Sequence, residues 1–193
     1  MNTKKLTCIF IGITVFFLGI GIFELIKSTA KANEISNSNM QSSLEYHFSM
    51  ENQSLDNRLI KVINSADSKL DIAIYDLRKN NIVAAVINAK KRGVTIRIIT
   101  DSKQAKLGEE DEELRLLKAV GIPIKINTHA GIMHMKITIV DNNTVTTGSY
   151  NYTDDATYKN DEVLIVIKNA SIARDWEKEF STMWQDTSRF TSL

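Results

Sequence analysis

"KLDIAIYDLRKNNIVAAVINAKKRGVTIRIITD", Lys69 to Asp101, decides the fold. Its first part is a short apolar run, Leu70 to Tyr75, long enough for a strand and too short for a helix. "NNIVAAVINAKKRG" then reads as a helix stopped by Gly93, and "VTIRIITD" as a second buried strand. Strands joined through a helix of this length pair in parallel within an α/β layer structure.

The same alternation continues outward. Downstream, "EEDEELRLLKAVG" is a helix with acidic residues in its first turn, Lys118 near its end and Gly121 as its stop. That charge order suits the helix macrodipole and marks a solvated face. "IPIKIN" begins a strand around Pro123, "EVLIVI" (Glu162 to Ile167) is another, and "SIARDWEKEFSTMWQ" is a closing amphipathic helix whose Trp176, Phe180 and Trp184 share a buried face. Upstream, "LEYHFS" (Leu44 to Ser49) is a short first strand, and "SLDNRLIKVINSA" a helix that Ser54 or Asp56 can cap. The expected fold is α/β: an α/β/α sandwich with a central mixed β-sheet, parallel in the middle and carrying an antiparallel hairpin. One N-terminal hydrophobic helix precedes it.

That helix is Leu6 to Phe23, 18 residues without a charge, about 27 Å long at ~1.5 Å per residue and nearly the ~30 Å of a bilayer core. Its length favours an anchor (residues 6–26), whereas Ala30-Lys31-Ala32 offers a signal-peptidase site, with cleavage near Ala32. Lys4 and Lys5 stay cytoplasmic by the positive-inside bias, so either outcome places the rest beyond the membrane. The chain divides into 1–32, anchor or signal peptide; 33–43, a Ser- and Asn-rich polar linker; and 44–187, the globular domain. Residues 1–32 hold four lysines and one glutamate, which leaves 20 basic and 22 acidic residues, a formal charge of −2. This excludes the overall electrostatic footprint of a strong nucleic-acid binder. The only cysteine, Cys8, lies in the apolar run, so the domain has neither disulfide nor thiolate nucleophile nor Cys-ligated zinc.

Chemistry concentrates in "HMKITIVDNNTVTTGSYNYT", His134 to Thr153. In "MHMKITIV" the residues Met133, Met135, Ile137 and Ile139 share one side of a strand, and His134, Lys136 and Thr138 the other. "DNNT" is a hairpin turn, and Ser149 and Asn151 return to the polar side beyond Gly148, which lets the backbone pass close to a neighbour. A cation, an imidazole, a hydroxyl and an amide on one surface form an oxyanion cradle. Phosphoryl transfer without a metal needs a nucleophile that can leave again and an acid for the departing oxygen. Imidazole serves either end, but the two jobs need two histidines. The chain contains only His47, His129 and His134; a twofold dimer would pair His134 with its copy. His47 reads as a packing or edge residue, His129 as a solvated loop residue, and Asp76 and Asp101 as turn or helix-capping groups.

His134-Met135-Lys136-Ile137-Thr138-Ile139-Val140-Asp141 matches the H-x-K-x4-D signature of the phospholipase D superfamily, and Gly148-Ser149-Tyr150-Asn151 its G-S-x-N. "NDEVLIVI" resembles the segment that supplies an acidic partner, Glu162. With "AIYDL" and "AAVINAKKRGVTIRIITD", the chain resembles small single-motif members, bacterial nuclease-like and mitochondrial cardiolipin-hydrolase-like, over roughly Leu44 to Trp184. The resemblance implies a phospholipase D-like fold and a phosphodiesterase. His134 would form a phosphohistidine, and its symmetry mate would protonate the leaving oxygen. Lys136, Ser149 and Asn151 would hold phosphate oxygens, Glu162 would fix a histidine tautomer, and Asp141 and Gly148 would be structural. It implies no metal and no cofactor, a homodimer sharing one active site, and a phospholipid of phosphatidylcholine or cardiolipin type as substrate. The alternatives are an unspecific metal-independent endonuclease on DNA or RNA, and a non-catalytic membrane-tethered phosphate-binding module.

Overall fold

The computed structural model describes Lys27, residues 42–51 and residues 54–193. The apolar stretch of residues 6–26 and the site near Ala32 lie outside the described residues. Among those residues no helix is long and apolar enough to cross a membrane. Residues Ser42–Leu193 form one compact unit.

Eight strands alternate with five helices among the described residues. The strands are β1 (Ser43–Phe48), β2 (Lys69–Ile74), β3 (Thr95–Thr100), β4 (Ile124–Asn127), β5 (Lys136–Val140), β6 (Thr144–Gly148), β7 (Val163–Lys168) and β8 (Phe190–Ser192). The helices are α1 (Leu55–Asn64), α2 (Asn80–Lys91), α3 (Gly108–Ala119), α4 (Asp154–Tyr158) and α5 (Ala170–Gln185). One sheet runs in the order β1-β7-β6-β5-β2-β3-β4-β8. β2, β3 and β4 are parallel, as the strand-helix-strand reading expects, and the other pairings are antiparallel.

Helices cover both faces unequally. Leu70, Ile72 and Ile74 of β2 point to one face, where Leu59, Ile63, Ile82, Val86, Leu114 and Leu117 of α1, α2 and α3 close the main core. On the other face Ala73, Ile139 and Val145 meet Ala173, Phe180 and Met183 of α5. Phe180 is buried as expected, but Trp176 and Trp184 are half-buried because α5 spans only part of this face. Asp71 and Arg97, neighbours across β2 and β3, form a two-pronged ion pair beneath α5 that Glu177 joins.

Three features differ from the sequence reading. β8 and the single-turn α4 are too short to carry a periodic signal; β8 exists because it pairs with β4. β5 begins at Lys136, so His134 and Met135 precede the strand instead of standing on it. Asp76 lies in the turn after β2, one of its two expected places, but caps no helix: its carboxylate takes two hydrogen bonds from Arg78, each 2.8 Å.

Candidate active site

The antiparallel β5-β6 hairpin places the start of β5 and the end of β6 at one edge of the sheet. β2 ends there, opposite Lys136, and β7 begins there, opposite Gly148. The sheet therefore gathers His134, Lys136, Ser149, Glu162 and Asp76 at the edge where its parallel strands end, the usual place for a site in such folds.

Two turns hold the edge in register. At the far end of the hairpin Asp141 and Asn142 both have positive φ, 50° and 53°, and Asn143 N–H donates to the Val140 carbonyl at 2.9 Å. This is a hairpin turn with left-handed central residues. The Asp141 carboxylate accepts from the backbone of Asp67 (2.8 Å), Ser68 (2.9 Å) and Lys69 (2.8 Å) and from the Ser68 hydroxyl (2.7 Å). It staples the hairpin to the loop entering β2. At the near end Gly148 has φ +141°, and a Cβ there would stand 2.0 Å from the Val163 carbonyl oxygen. Only glycine lets β6 pass so close to β7.

Beyond Gly148 the Ser149 N–H donates to the Val163 carbonyl (3.1 Å), the Ser149 hydroxyl accepts from the Val163 N–H (3.2 Å), and the same hydroxyl donates to Glu162. Glu162 N–H donates to the Ser49 hydroxyl at 2.9 Å, so the 3-10 turn after β1 steadies the acidic residue. A pocket of about 240 Å³ opens beside this pair, lined by Phe48, Met50, Ser149, Asp161 and Glu162. Asn151 is half-buried and its amide oxygen has no hydrogen-bond partner among the described residues.

Lys136 is only 7% exposed, and its ammonium donates to the His134 carbonyl at 2.9 Å. Burial pulls its pKa down, while the carboxylates of Glu162 and Asp76 push back. His134 is exposed at the mouth, free to meet an external ester. The structure thus joins Ser149 to Glu162 directly and sets Lys136 within the field of both carboxylates. His129 lies in the loop ahead, where its Nδ1 accepts from Gly131 N–H and its ring meets Phe190. His47 faces Glu45 on β1 at 3.7 Å. Among the described residues no group of three His, Cys, Asp or Glu side chains is placed to hold a metal ion.

Sequence reasoning missed three contributors. Ser49 holds Glu162; Asp76 acts on Lys136; the Tyr75 ring lies against His134, centroids 4.6 Å apart at 65°. The readable signal was their position, since Tyr75 and Asp76 directly follow a strand that pairs with the motif strand.

Comparison with known proteins agrees with this arrangement. Residues 59–184 match the family described as "Cardiolipin synthase, PLD-like domain". The mitochondrial cardiolipin hydrolase of Xenopus tropicalis is 28% identical over 129 residues, 67% of this chain and 60% of that protein. A phospholipase D of Rickettsia prowazekii is 32% identical over 118 residues, 61% of this chain and 57% of that protein. The chain so spans less than two thirds of the length of these curated relatives. Among solved structures, Nuc from Salmonella typhimurium, a phospholipase D family member, superposes with a TM-score of 0.74 at 28% identity, covering 79% of this chain and 99% of that one. NucT from Helicobacter pylori shares the fold, with a TM-score of 0.70 at 23% identity over 75% of this chain. By the match over residues 59–184, which include both the H-x-K-x4-D and G-S-x-N segments, the chain belongs to the phospholipase D superfamily.

Proposed function

We propose that this protein is a phosphodiesterase that cleaves phospholipids through a phosphohistidine. The observation that carries the reading is the convergence, at one sheet edge, of an exposed imidazole, a buried ammonium and a serine-glutamate pair. His134 attacks phosphorus as the neutral imidazole, forming a nitrogen-phosphorus bond while the ester oxygen departs. Lys136, Ser149 and Asn151 hold the non-bridging oxygens, whose charge grows in the transition state. A second imidazole protonates the departing oxygen, then takes a proton from the water that hydrolyses the phosphohistidine. Because imidazoles supply both nucleophile and acid, the reaction needs no metal. Glu162 fixes the tautomer of a histidine from its place beside Ser149.

The second imidazole comes from His134 of another copy. Two features support a homodimer sharing one site. Leu44 and Tyr46 leave the outer strand's apolar side 64% and 62% exposed. A groove of about 300 Å³ between β5 and α5, lined by Met135, Ile137, Trp176, Phe180 and Met183, leaves further apolar surface in reach of a partner. The names of two relatives, a cardiolipin hydrolase and a phospholipase D, favour a lipid substrate, as does the apolar stretch of residues 6–23, which would keep the domain on the far side of a membrane.

One assay matrix tests this: full-length wild type and His134→Ala on phosphatidylcholine, cardiolipin, single-stranded DNA and duplex DNA, in the presence of chelator. Release of headgroup by wild type alone is expected. Cleavage of DNA without lipid hydrolysis would move the substrate to nucleic acid. Binding without turnover would leave a phosphate-binding module, and equal activity in His134→Ala would remove the phosphohistidine.

A further inference from the structure

Tyr75 is the first residue after β2, half-buried, and its N–H donates at 2.9 Å to the carbonyl of Met135, the residue between His134 and Lys136. Its ring touches both neighbours of Met135. The His134 imidazole meets it edge-on at 4.6 Å between centroids, and the Lys136 ammonium stands over it, 4.9 Å from the centroid. That distance lies within the ~6 Å reach of a cation–π attraction.

The ring is itself held. Its hydroxyl accepts from the Gln104 side-chain amide at 2.8 Å. The backbone N–H of Gln104 donates to one Asp101 carboxylate oxygen, and the other oxygen accepts from Met133 N–H at 3.0 Å. Met133 immediately precedes His134, so Tyr75, Gln104, Asp101, Met133 and His134 form a closed ring of contacts. A tyrosine that merely filled space would not need its hydroxyl tied, through a buried aspartate, to the segment carrying the histidine.

We propose that Tyr75 is a positioning residue: its ring seats the Lys136 ammonium and the His134 imidazole against the phosphodiester, and Gln104 seats the ring. The inference rests on the phosphodiesterase reading and adds a residue outside the motif to it. Among the described residues the Lys136 ammonium is bonded to the carbonyl of His134, stands over this ring, and feels the carboxylates of Glu162 at the head of β7 and Asp76 after β2. The two carboxylates and the ring favour the charged amine, against burial, which opposes it.

The test uses the full-length chain in detergent micelles, as wild type, Tyr75→Phe, Tyr75→Leu and Tyr75→Met. The last fills the space without a π face if the leucine variant does not fold. Two readouts are taken: the pH profile of hydrolysis of bis(4-nitrophenyl) phosphate, and the titration of Lys136 by NMR of its labelled side-chain carbon. Loss of the ring should lower kcat about tenfold with KM nearly unchanged, as expected when transition-state contacts are lost. It should also move the basic inflection and the Lys136 titration down together by at least about half a pH unit, the low end for a cation–π contact between a buried ammonium and a half-buried ring. Tyr75→Phe, which keeps the ring but loses the bond from Gln104, should titrate at Lys136 close to wild type and fall between wild type and the leucine variant in kcat, about threefold down. A leucine or methionine variant that folds, with Lys136 titrating as in wild type, overturns the proposal. Absence of turnover in wild type and His134→Ala alike would instead overturn the phosphodiesterase reading, and the NMR titration would still decide the role of Tyr75.

Discussion

Replacing Asp141 separates a structural role for the last letter of the motif from a catalytic one. Its carboxylate closes four hydrogen bonds to residues 67–69, at the hairpin end away from His134. These donors can reach water once the carboxylate is gone, so each bond is worth about 0.5 kcal/mol, the low end for a net hydrogen bond. Alanine would also have to hold φ +50°, which costs about 1 kcal/mol more than for aspartate or asparagine. Asp141→Ala should therefore lose about 3 kcal/mol. Asp141→Asn, which keeps one acceptor oxygen and tolerates the left-handed turn, should lose about 1 kcal/mol. In urea, with a slope of about 2 kcal/mol per molar, the midpoints should fall by about 1.5 M and 0.5 M. Partial burial pushes the Asp141 carboxyl up, but the bonds from Asp67, Ser68 and Lys69 outweigh it and hold its pKa below the ordinary value. A depressed carboxyl stabilises the fold above its unfolded pKa of about 3.9 and loses that contribution as pH falls through the folded value. The gap between wild type and Asp141→Asn should accordingly close in acid. Per folded molecule, both variants should keep activity within threefold of wild type. An asparagine variant as stable as wild type but inactive would refute the reasoning and make Asp141 a participant in the chemistry.

Two other substitutions probe the frame of the site. Gly148→Ala puts a Cβ 2.0 Å from the Val163 carbonyl at φ +141°, so β6 and β7 must separate; a loss above about 3 kcal/mol is expected from overpacking and strain, and an unchanged melting temperature would contradict it. Glu110, fully buried at the start of α3, accepts from the Thr100 hydroxyl at 2.8 Å, and its second oxygen has no hydrogen-bond partner of normal geometry among the described residues. Burial raises its pKa to about 8, against the Thr100 bond, which lowers it. A raised carboxyl favours folding below its unfolded pKa, and this advantage declines as pH rises towards the folded value. Denaturant curves of Glu110→Gln should therefore gain on wild type between about pH 4.5 and 8 and run parallel above it; a pH-independent difference would show that Glu110 is ionised throughout.

Local pattern made most of this protein legible from its sequence. Period-2 and helical spacing located the main elements, because β2 and α2 are each patterned for burial along their own length. The spacing of His134, Lys136 and Asp141 named the family, because three side chains on one hairpin need no long-range contact to be placed relative to each other. Tertiary structure alone decided the rest. β8 is three residues long and owes its existence to β4. Glu162 finds Ser149 because β7 returns beside β6, and Ser49 finds Glu162 because β1 closes against β7. Tyr75 reads as one more aromatic after a strand until β2 pairs with β5 and sets its ring against His134 and Lys136. A chain spells out how each segment buries its own apolar face; which segments then lie side by side depends on the whole sheet closing at once, and that is what assembles the tyrosine ring and the carboxylates around the lysine.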